Sequence, residues 1–201
     1  TWATAIYFNP FDFGVNVVIE AITKYISGHS DIMMGVVLAN NEDLVGIERW
    51  TKNAGVYVSP DDIFMSLRGL RTLPLRLEQS SYNSLNLAKF LESLKEVKYV
   101  MHPALTQHPD HKFWKRDFKG ASGLFAIEFN DNISDEAVNK LSNSLEIFGI
   151  GSSWGGYSSL VSMMNVSESR KIETSYIPKG VYLRIYTCLL YTSDAADDLL
   201  C

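Results

Sequence analysis

A threonine and a lysine stand side by side where an apolar stretch of the chain gives way to a polar segment. Residues 14–22 are mostly apolar, Thr23 and Lys24 follow, and the next residues include Gly and Ser. Burial would lower the pKa of the lysine ammonium, and its neutral amine is the nucleophile that forms Schiff bases with aldehydes. The hydroxyl and backbone N–H of Thr23 are suited to a phosphate oxygen. Position alone, however, favours a lysine exposed at the end of a strand.

The remaining polar clusters favour structural roles. The histidines that follow residue 101 form no i, i+4 pair on a helix, so no metal site is predicted. Acidic pairs suit the first turns of helices, where carboxylates offset the positive helix end. The arginines of segment 68–76 are expected on a solvated helix face or in domain-interface pairs. These residues are His102, His108, His111, Asp61, Asp62, Asp135, Glu136, Arg68, Arg71 and Arg76.

The composition is that of an ordinary globular protein. The chain has 201 residues, of which 46% are hydrophobic and 20% charged, and its formal net charge is −5. This charge argues against a nucleic-acid partner, which requires a basic face. No apolar run approaches the ~18–20 residues that span a bilayer, so no membrane partner is predicted. The two cysteines, Cys188 and Cys201, have no CxxC spacing, which favours a reducing, cytoplasmic location.

The hydrophobic pattern predicts an α/β fold that begins with two apolar strands and ends in a small α+β domain. The first strand, at 14–22, is expected to be largely buried. A helix should begin after Ser59, because Ser, Pro and two acids suit a helix start. The apolar spacing of 75–94 predicts a long helix that links two domains. Further strands are predicted at 33–39, 97–101, 123–129, 146–150 and 181–186, and further helices at 40–51 and 134–145.

Several motifs, in the right order, resemble the Cys/Met-metabolism (transsulfuration) family of pyridoxal-phosphate enzymes. Residues 1–4 are Thr-Trp-Ala-Thr, and residues 23–31 are Thr-Lys-Tyr-Ile-Ser-Gly-His-Ser-Asp. In that family a Thr-Trp-Ala segment precedes the cofactor lysine by about this distance. Residues 66–73 resemble the Arg-Gly-Leu-Arg-Thr-Leu segment of the same family. Residues 102–105, 113–118 and 120–125 resemble its bacterial cystathionine β-lyase branch.

The resemblance implies a fold and a cofactor. Residues 1–73 would end the large, cofactor-binding domain of a fold type I PLP-dependent transferase-like enzyme. Residues 74–186 would form a linker helix and a smaller α+β C-terminal domain. Lys24 is then expected to hold pyridoxal 5′-phosphate as a Schiff base, with Thr23 on the phosphate. Ala21 replaces a serine that many members have, so one phosphate contact is absent or supplied elsewhere.

Substrate-binding residues are implied by two other segments. Residues 153–157, Ser-Trp-Gly-Gly-Tyr, match the β-lyase branch, whereas γ-synthases and γ-lyases usually have Leu in place of Trp154. Ser153 corresponds to a residue near the substrate carboxylate, and Arg184 to the arginine that binds the α-carboxylate, which suits the planar guanidinium fork. Without the resemblance, Arg184 would be interpreted as an arginine on the surface of a strand and Trp154 as an aromatic residue of the core. Trp154 can also belong to the core and line the site at the same time.

The implied reaction is β-elimination of L-cystathionine to homocysteine, pyruvate and ammonia, as in methionine biosynthesis. Lys24 would remove the α-proton and protonate the departing sulfur. A γ-lyase or γ-synthase is one alternative, and a non-catalytic regulator that kept the lyase fold is another. The resemblance also implies a small amino-acid thioether as substrate and a homotetramer built as a dimer of dimers.

Both ends of the chain depart from the family pattern. Relatives carry an N-terminal half with a phosphate-binding loop, a tyrosine stacked on the cofactor and an aspartate on its ring nitrogen. The chain is therefore interpreted as a C-terminal fragment that is inactive alone. Residues 187–201 do not resemble the Gly-Leu-Glu-Asp segment and last helix of the family, and are interpreted as a non-native tail.

Overall fold

The described residues form two β-sheets joined by one long helix. The computed structural model describes residues 1–164 and 181–188. A two-stranded antiparallel hairpin lies near the N-terminus, and a five-stranded sheet with the order β3-β4-β7-β6-β5 forms the C-terminal part. The strands are β1 Val17–Ala21, β2 Gly35–Ala39, β3 Val97–Met101, β4 Leu124–Phe129, β5 Gly149–Ile150, β6 Leu160–Met164 and β7 Tyr182–Tyr186.

Five α-helices and two tight turns complete the described part of the chain. A 3-10 turn covers Pro10–Phe13, and a π-helical turn follows β1 at Ile22–Ile26. The second of these contains the predicted cofactor lysine. The α-helices are α1 Thr4–Tyr7, α2 Asn41–Asn53, α3 Pro60–Glu92, α4 His111–Asp117 and α5 Asp135–Ser144.

Helix α3 joins the two helical segments predicted from the sequence into one element of 33 residues. Its start is the predicted one: the Ser59 side chain accepts a hydrogen bond from the Asp61 N–H at 3.2 Å, and Pro60 occupies the first turn. The helix continues through Pro74, which lacks the N–H for an intrahelical bond. At about 1.5 Å per residue, α3 is long enough to contact both sheets.

The C-terminal sheet holds the main hydrophobic core. Strands β4 and β7 are central and antiparallel, with Ala126 opposite Arg184, and only the β5–β6 pair of the described strands is parallel. One face packs against the last turns of α3 and against α5, as expected for a small α+β domain. The fully buried members of this core include Ala88, Leu91, Ile127, Val138, Leu183 and Ile185.

The N-terminal segment ties the hairpin region to the C-terminal sheet. The Trp2 indole N–H donates to the Leu124 carbonyl at 2.8 Å, and the Lys119 N–H donates to the Tyr7 carbonyl at 2.8 Å. The rings of Phe8 and Phe118 stack with centroids 4.5 Å apart. These contacts hold the lysine turn and the C-terminal sheet in one orientation.

Three sequence predictions about secondary structure were wrong. The strand predicted at 14–22 is not largely buried: β1 pairs with β2 alone, and Ile19 is 73% exposed. A two-stranded sheet has too few neighbours to cover both faces of a strand. Residues 111–117, for which no helix was predicted, form α4, and β6 was not predicted. Strand β6 carries only a short run of mixed residues and owes its conformation to pairing with β7.

Gly69 of α3 is predicted to be irreplaceable, because a Cβ there would collide with the carbonyl oxygens of Ile26 and Ser27. We expect Gly69→Ala to destabilise the intact protein by about 1–3 kcal/mol through overpacking. Gly46, exposed in α2, is the control, since a Cβ there meets nothing within 4 Å. Gly46→Ala should stabilise by about 0.5–1 kcal/mol. Urea unfolding measures both, and equal effects of the two substitutions would contradict this account of the packing.

Candidate active site

The turn that carries Lys24 breaks the regular backbone on both sides of that residue. β1 ends at Ala21, and within the π-helical turn Lys24 adopts φ −90° and ψ −116°, which is not helical. The Ser27 N–H donates to the Ile22 carbonyl and the Gly28 N–H to the Lys24 carbonyl, both at 2.9 Å. Gly28 has φ +73°, a conformation that favours glycine, and lies directly against the Arg76 guanidinium. Backbone hydrogen bonds within the turn therefore stabilise it, and the Lys24 side chain projects away from it.

The Lys24 amine contacts two residues that lie far away in the sequence. Its Nζ donates a hydrogen bond to Ser153 Oγ at 2.8 Å, across 129 positions of the chain. The same nitrogen lies over the ring of Trp154, 4.2 Å from the centroid. Ser153 and Trp154 belong to the loop between β5 and β6, so the C-terminal sheet delivers them to the lysine turn.

Arg184 approaches the same indole from the middle of β7. The centre of its guanidinium is 5.7 Å from the Trp154 ring centroid. Within the described residues, Nη2 of Arg184 and Nε1 of Trp154 are buried and have no hydrogen-bond partner. No carboxylate among those residues lies within ion-pair distance of Arg184 or Lys24. Because unpaired buried donors are costly, this cluster is suited to an anionic ligand.

The pKa of Lys24 is lowered from its ordinary value of 10.5, first by burial and then by the positive charge of Arg184. Burial also lowers the pKa of Arg184, although a guanidinium stays protonated in proteins. The lysine therefore loses its proton more readily than a lysine in water. A neutral amine beside a fixed cation can condense with an aldehyde, while the cation holds a carboxylate.

Gly155, which the sequence analysis did not single out, permits this approach. A Cβ at this position would lie 2.6 Å from the Lys24 carbonyl carbon and 2.7 Å from the Tyr25 nitrogen. Gly155 also has φ +83°, so both space and backbone conformation require glycine. The Gly-Gly pair that follows Trp154 was the signal in the sequence.

Thr23 lies next to Lys24, but its polar groups are directed to Met34. The Thr23 backbone N–H and hydroxyl both donate to the Met34 carbonyl, at 3.1 and 3.2 Å, and the hydroxyl accepts from the Met34 N–H at 2.9 Å. A phosphate contact would require the hydroxyl to exchange its partner. The predicted role of Thr23 stays a prediction.

The residues that were predicted to have structural roles differ in how deeply they are buried. Arg68 and Arg71 are exposed, whereas Arg76 is buried and donates to the Gly69 carbonyl at 2.7 Å. His102 is buried, and burial lowers its pKa to about 4. No cluster of three or more His, Cys, Asp or Glu side chains suited to a metal occurs within residues 1–164 and 181–188. In the same ranges, no helix is long and apolar enough to cross a membrane.

The predicted tail begins with two residues that take part in the fold. Thr187 and Cys188 are buried, and the Cys188 N–H donates to Ser159 Oγ at 3.1 Å. Residues 189–201, with Cys201, lie outside the described residues. The tail boundary at 187 and the domain boundary at 73 stay predictions; α3 runs through the latter without interruption.

Comparisons with known proteins identify the family. The family described as Cys/Met metabolism PLP-dependent enzyme matches residues 1–181. The chain is 40% identical over 200 residues to an L-alanine/L-glutamate racemase of Wolbachia pipientis wMel, covering 99% of the chain and 49% of that protein. It is 47% identical over 163 residues to a putative cystathionine beta-lyase of Rhizobium johnstonii, covering 80% of the chain and 41% of that protein.

A solved structure agrees in fold over the whole chain. Cystathionine gamma synthase from Xanthomonas oryzae pv. oryzae, in complex with aminoacrylate and cysteine, superimposes with a TM-score of 0.87 at 29% identity, covering 100% of the chain and 52% of that protein. The chain belongs to the Cys/Met metabolism family of PLP-dependent enzymes, and the predicted α/β fragment of fold type I is confirmed. The chain spans about half the length of the curated relatives it matches.

The described residues fit the cofactor that defines this family. Pyridoxal 5′-phosphate requires a lysine that can become neutral, and Lys24 has a lowered pKa. The unpartnered donors of Trp154 and Arg184 belong to adjacent side chains, to which an anionic amino acid would supply acceptors. The predicted cofactor is confirmed through the family.

Arg184 is predicted to add to the effect of burial in lowering the pKa of the Lys24 amine. Replacing Arg184 with Gln removes the positive neighbour, so the pKa of Lys24 should rise and its neutral form should appear at higher pH. The rate at which the intact apo-protein condenses with pyridoxal phosphate, followed by absorbance against pH, should therefore shift its midpoint upward. Arg116→Gln is the control, because Arg116 is exposed and paired with Asp117. An unchanged midpoint for Arg184→Gln would refute the electrostatic coupling.

Proposed function

We propose that the intact protein is a carbon–sulfur lyase of the cystathionine β-lyase type, which cleaves L-cystathionine to homocysteine, pyruvate and ammonia. The observation that carries this proposal is the cluster around Trp154. The Lys24 amine, hydrogen-bonded to Ser153 at 2.8 Å, and the Arg184 guanidinium both lie over the Trp154 indole. An amino acid would pair its carboxylate with Arg184 and bring the adjacent Cα within reach of the Lys24 amine.

Arg184 is proposed to hold the substrate carboxylate. Its Nη2 is buried and unpaired within the described residues, and the guanidinium fork presents two parallel donors to a carboxylate. Ser153 lies beside the amine of Lys24 and offers a hydroxyl to the same carboxylate or to the lysine. Two such contacts orient the Cα–H bond toward Lys24, and this orientation supplies much of the catalytic advantage.

Lys24 is proposed to move the proton. The cofactor, when bound, supplies an electron sink for the pair left behind when the Cα–H bond breaks. The neutral Lys24 amine takes that proton, and Ser153 holds the resulting ammonium in place. As the Cβ–S bond breaks, the sulfur leaves with its electron pair and receives the proton from Lys24, so the lysine is neutral again. The unsaturated three-carbon amine that is released then takes up one water and gives pyruvate and ammonia, which balances the reaction.

Trp154 favours β-elimination over γ-cleavage. The β-lyase branch has tryptophan at this position, whereas γ-synthases and γ-lyases usually have leucine. The Trp154 ring fills the space beside the Lys24 amine and limits the positions from which the lysine can reach a substrate carbon. A proton base held near Cα and kept from Cβ favours loss of a group from Cβ.

A racemase is the second candidate, because the chain is 40% identical to an L-alanine/L-glutamate racemase along nearly its whole length. Racemisation and β-elimination share the removal of the α-proton by the lysine. They differ in the next step, since a racemase returns a proton to Cα from the opposite side. A substrate without a leaving group on Cβ, such as L-alanine, separates the two.

The test uses the purified intact protein with pyridoxal phosphate. With L-cystathionine we expect pyruvate and homocysteine, with at least about a hundredfold loss of rate in Lys24→Ala, as expected for the loss of a general base. 2-Oxobutyrate in place of pyruvate would identify a γ-lyase. D-alanine formed from L-alanine without pyruvate from cystathionine would identify a racemase. Absence of all three reactions would favour a non-catalytic regulator.

Lys119→Ala is the control for Lys24→Ala, since it also removes one lysine side chain. Lys119 lies in the loop before β4, where its backbone N–H, and not its side chain, contacts Tyr7. Its activity should equal that of the unchanged protein. A cytoplasmic location and a homotetramer remain part of this proposal.

A further inference from the structure

Tyr25, the residue after Lys24, points away from the cofactor lysine and into the C-terminal sheet. It is 1% exposed, and its hydroxyl accepts a hydrogen bond from the Gly123 N–H at 2.9 Å. Burial raises the pKa of its phenol, against hydrogen bonds with Ser122 and Ser80, so the hydroxyl stays protonated. The side chain therefore bridges from the lysine turn to the first residue before β4.

Gly123 in turn contacts the end of the strand that carries Arg184. The Thr187 N–H donates to the Gly123 carbonyl at 3.0 Å, directly beyond β7. In the sheet, Leu124 is opposite Tyr186 and Ala126 is opposite Arg184. A Cβ on Gly123 would lie 2.6 Å from the Thr187 carbonyl and would collide with Ser80 Oγ. The Gly123 backbone is thus confined on two sides, and the Tyr25 hydroxyl occupies a third.

A second tyrosine, Tyr186, links Tyr25 to the loop that contains Trp154. The Tyr186 ring meets the Tyr25 ring edge-on, with centroids 6.1 Å apart, and its hydroxyl donates to the Gly156 carbonyl at 2.9 Å. Gly156 follows Trp154 by two residues, and Tyr186 follows Arg184 by two. The two crossed tyrosines therefore join the lysine turn, the loop with Trp154 and the strand with Arg184.

We propose that Tyr25 is a positioning residue whose hydrogen bond to Gly123 sets the separation between the Lys24 amine and the Arg184 guanidinium. The inference rests on the proposed function, because it takes Arg184 as the carboxylate-binding residue. Tyr25 does not touch substrate; it acts through β4 and β7. The separation matters because an amino acid presents its amine and its carboxylate at one fixed spacing.

The test is Tyr25→Phe in the intact protein loaded with pyridoxal phosphate. The change keeps the ring but leaves the buried Gly123 N–H without its acceptor, so β4 and β7 should shift relative to the lysine turn. Glycine and methylamine are titrated against the cofactor absorbance, since both condense as amines and only glycine has a carboxylate. We expect the Kd of glycine to rise about tenfold, the effect of roughly 1.4 kcal/mol, with the Kd of methylamine and the cofactor content unchanged.

Steady-state kinetics give a second measurement of the same effect. In Tyr25→Phe, the KM for the thioether substrate should rise by about the same factor as the Kd of glycine, with kcat changed less than about twofold. Ser142→Ala is the control; it removes a buried hydroxyl that donates to the Val138 carbonyl in α5. This control should lower stability without changing either Kd.

The outcomes separate the positioning role from the proposed reaction. An unchanged Kd of glycine, or equal changes for glycine and methylamine, would overturn the positioning role. If the intact protein catalyses no elimination but Tyr25→Phe raises the Kd of glycine and not that of methylamine, the proposed reaction is wrong and the positioning role stands. Ser122→Ala serves if Tyr25→Phe does not fold, because the Ser122 side chain lowers the pKa of the Tyr25 hydroxyl and its removal keeps the ring. Ser122→Ala should raise the Kd of glycine by a smaller factor than Tyr25→Phe does and leave the Kd of methylamine unchanged. An unchanged Kd of glycine would count against the proposal.

Discussion

Gly155 packs against the peptide that joins Lys24 to Tyr25, with no room for a side chain between the two segments. The site depends on this close approach. It places the loop of Ser153 and Trp154 on the lysine turn, so the Lys24 amine reaches both residues without leaving its own backbone environment. A side chain at position 155 would separate the two segments, and with them the Lys24 amine and the residues that surround it.

Two cations beside one indole are an unfavourable arrangement unless an anion joins them. Burial and the neighbouring Arg184 lower the pKa of Lys24, so one of the two charges is readily given up. The Trp154 face offers partial compensation to both cations, through its negative quadrupole. No carboxylate of the described residues lies within ion-pair distance of Lys24 or Arg184, so neutralising their charges is left to a bound anion. The electrostatics of this cluster and the amino-acid chemistry of the family thus agree.

The sequence predicted most of the elements that are defined by local signals. Ser59, Pro60 and the acids that follow specify where α3 begins, and the hydrophobic pattern predicts β3, β4 and β7 closely. Prediction failed where conformation depends on a distant partner. β6 forms because β7 lies beside it, and the burial of β1 depends on what covers its faces. Arg76, for which a solvated helix face and a domain-interface pair were both open, is buried because the turn after Lys24 packs against α3 at Gly69.

By itself, the sequence determined the residue types of the site and the family, since Lys24, Trp154 and Arg184 each lie in a motif that is recognisable without coordinates. Tertiary structure alone decided that these residues meet, that Thr23 directs its hydroxyl to Met34, and that Tyr25 reaches Gly123. The physical reason is the range of the forces involved. Helix starts and strand alternation arise from neighbours a few positions apart, whereas a hydrogen bond across 129 residues depends on how whole elements pack.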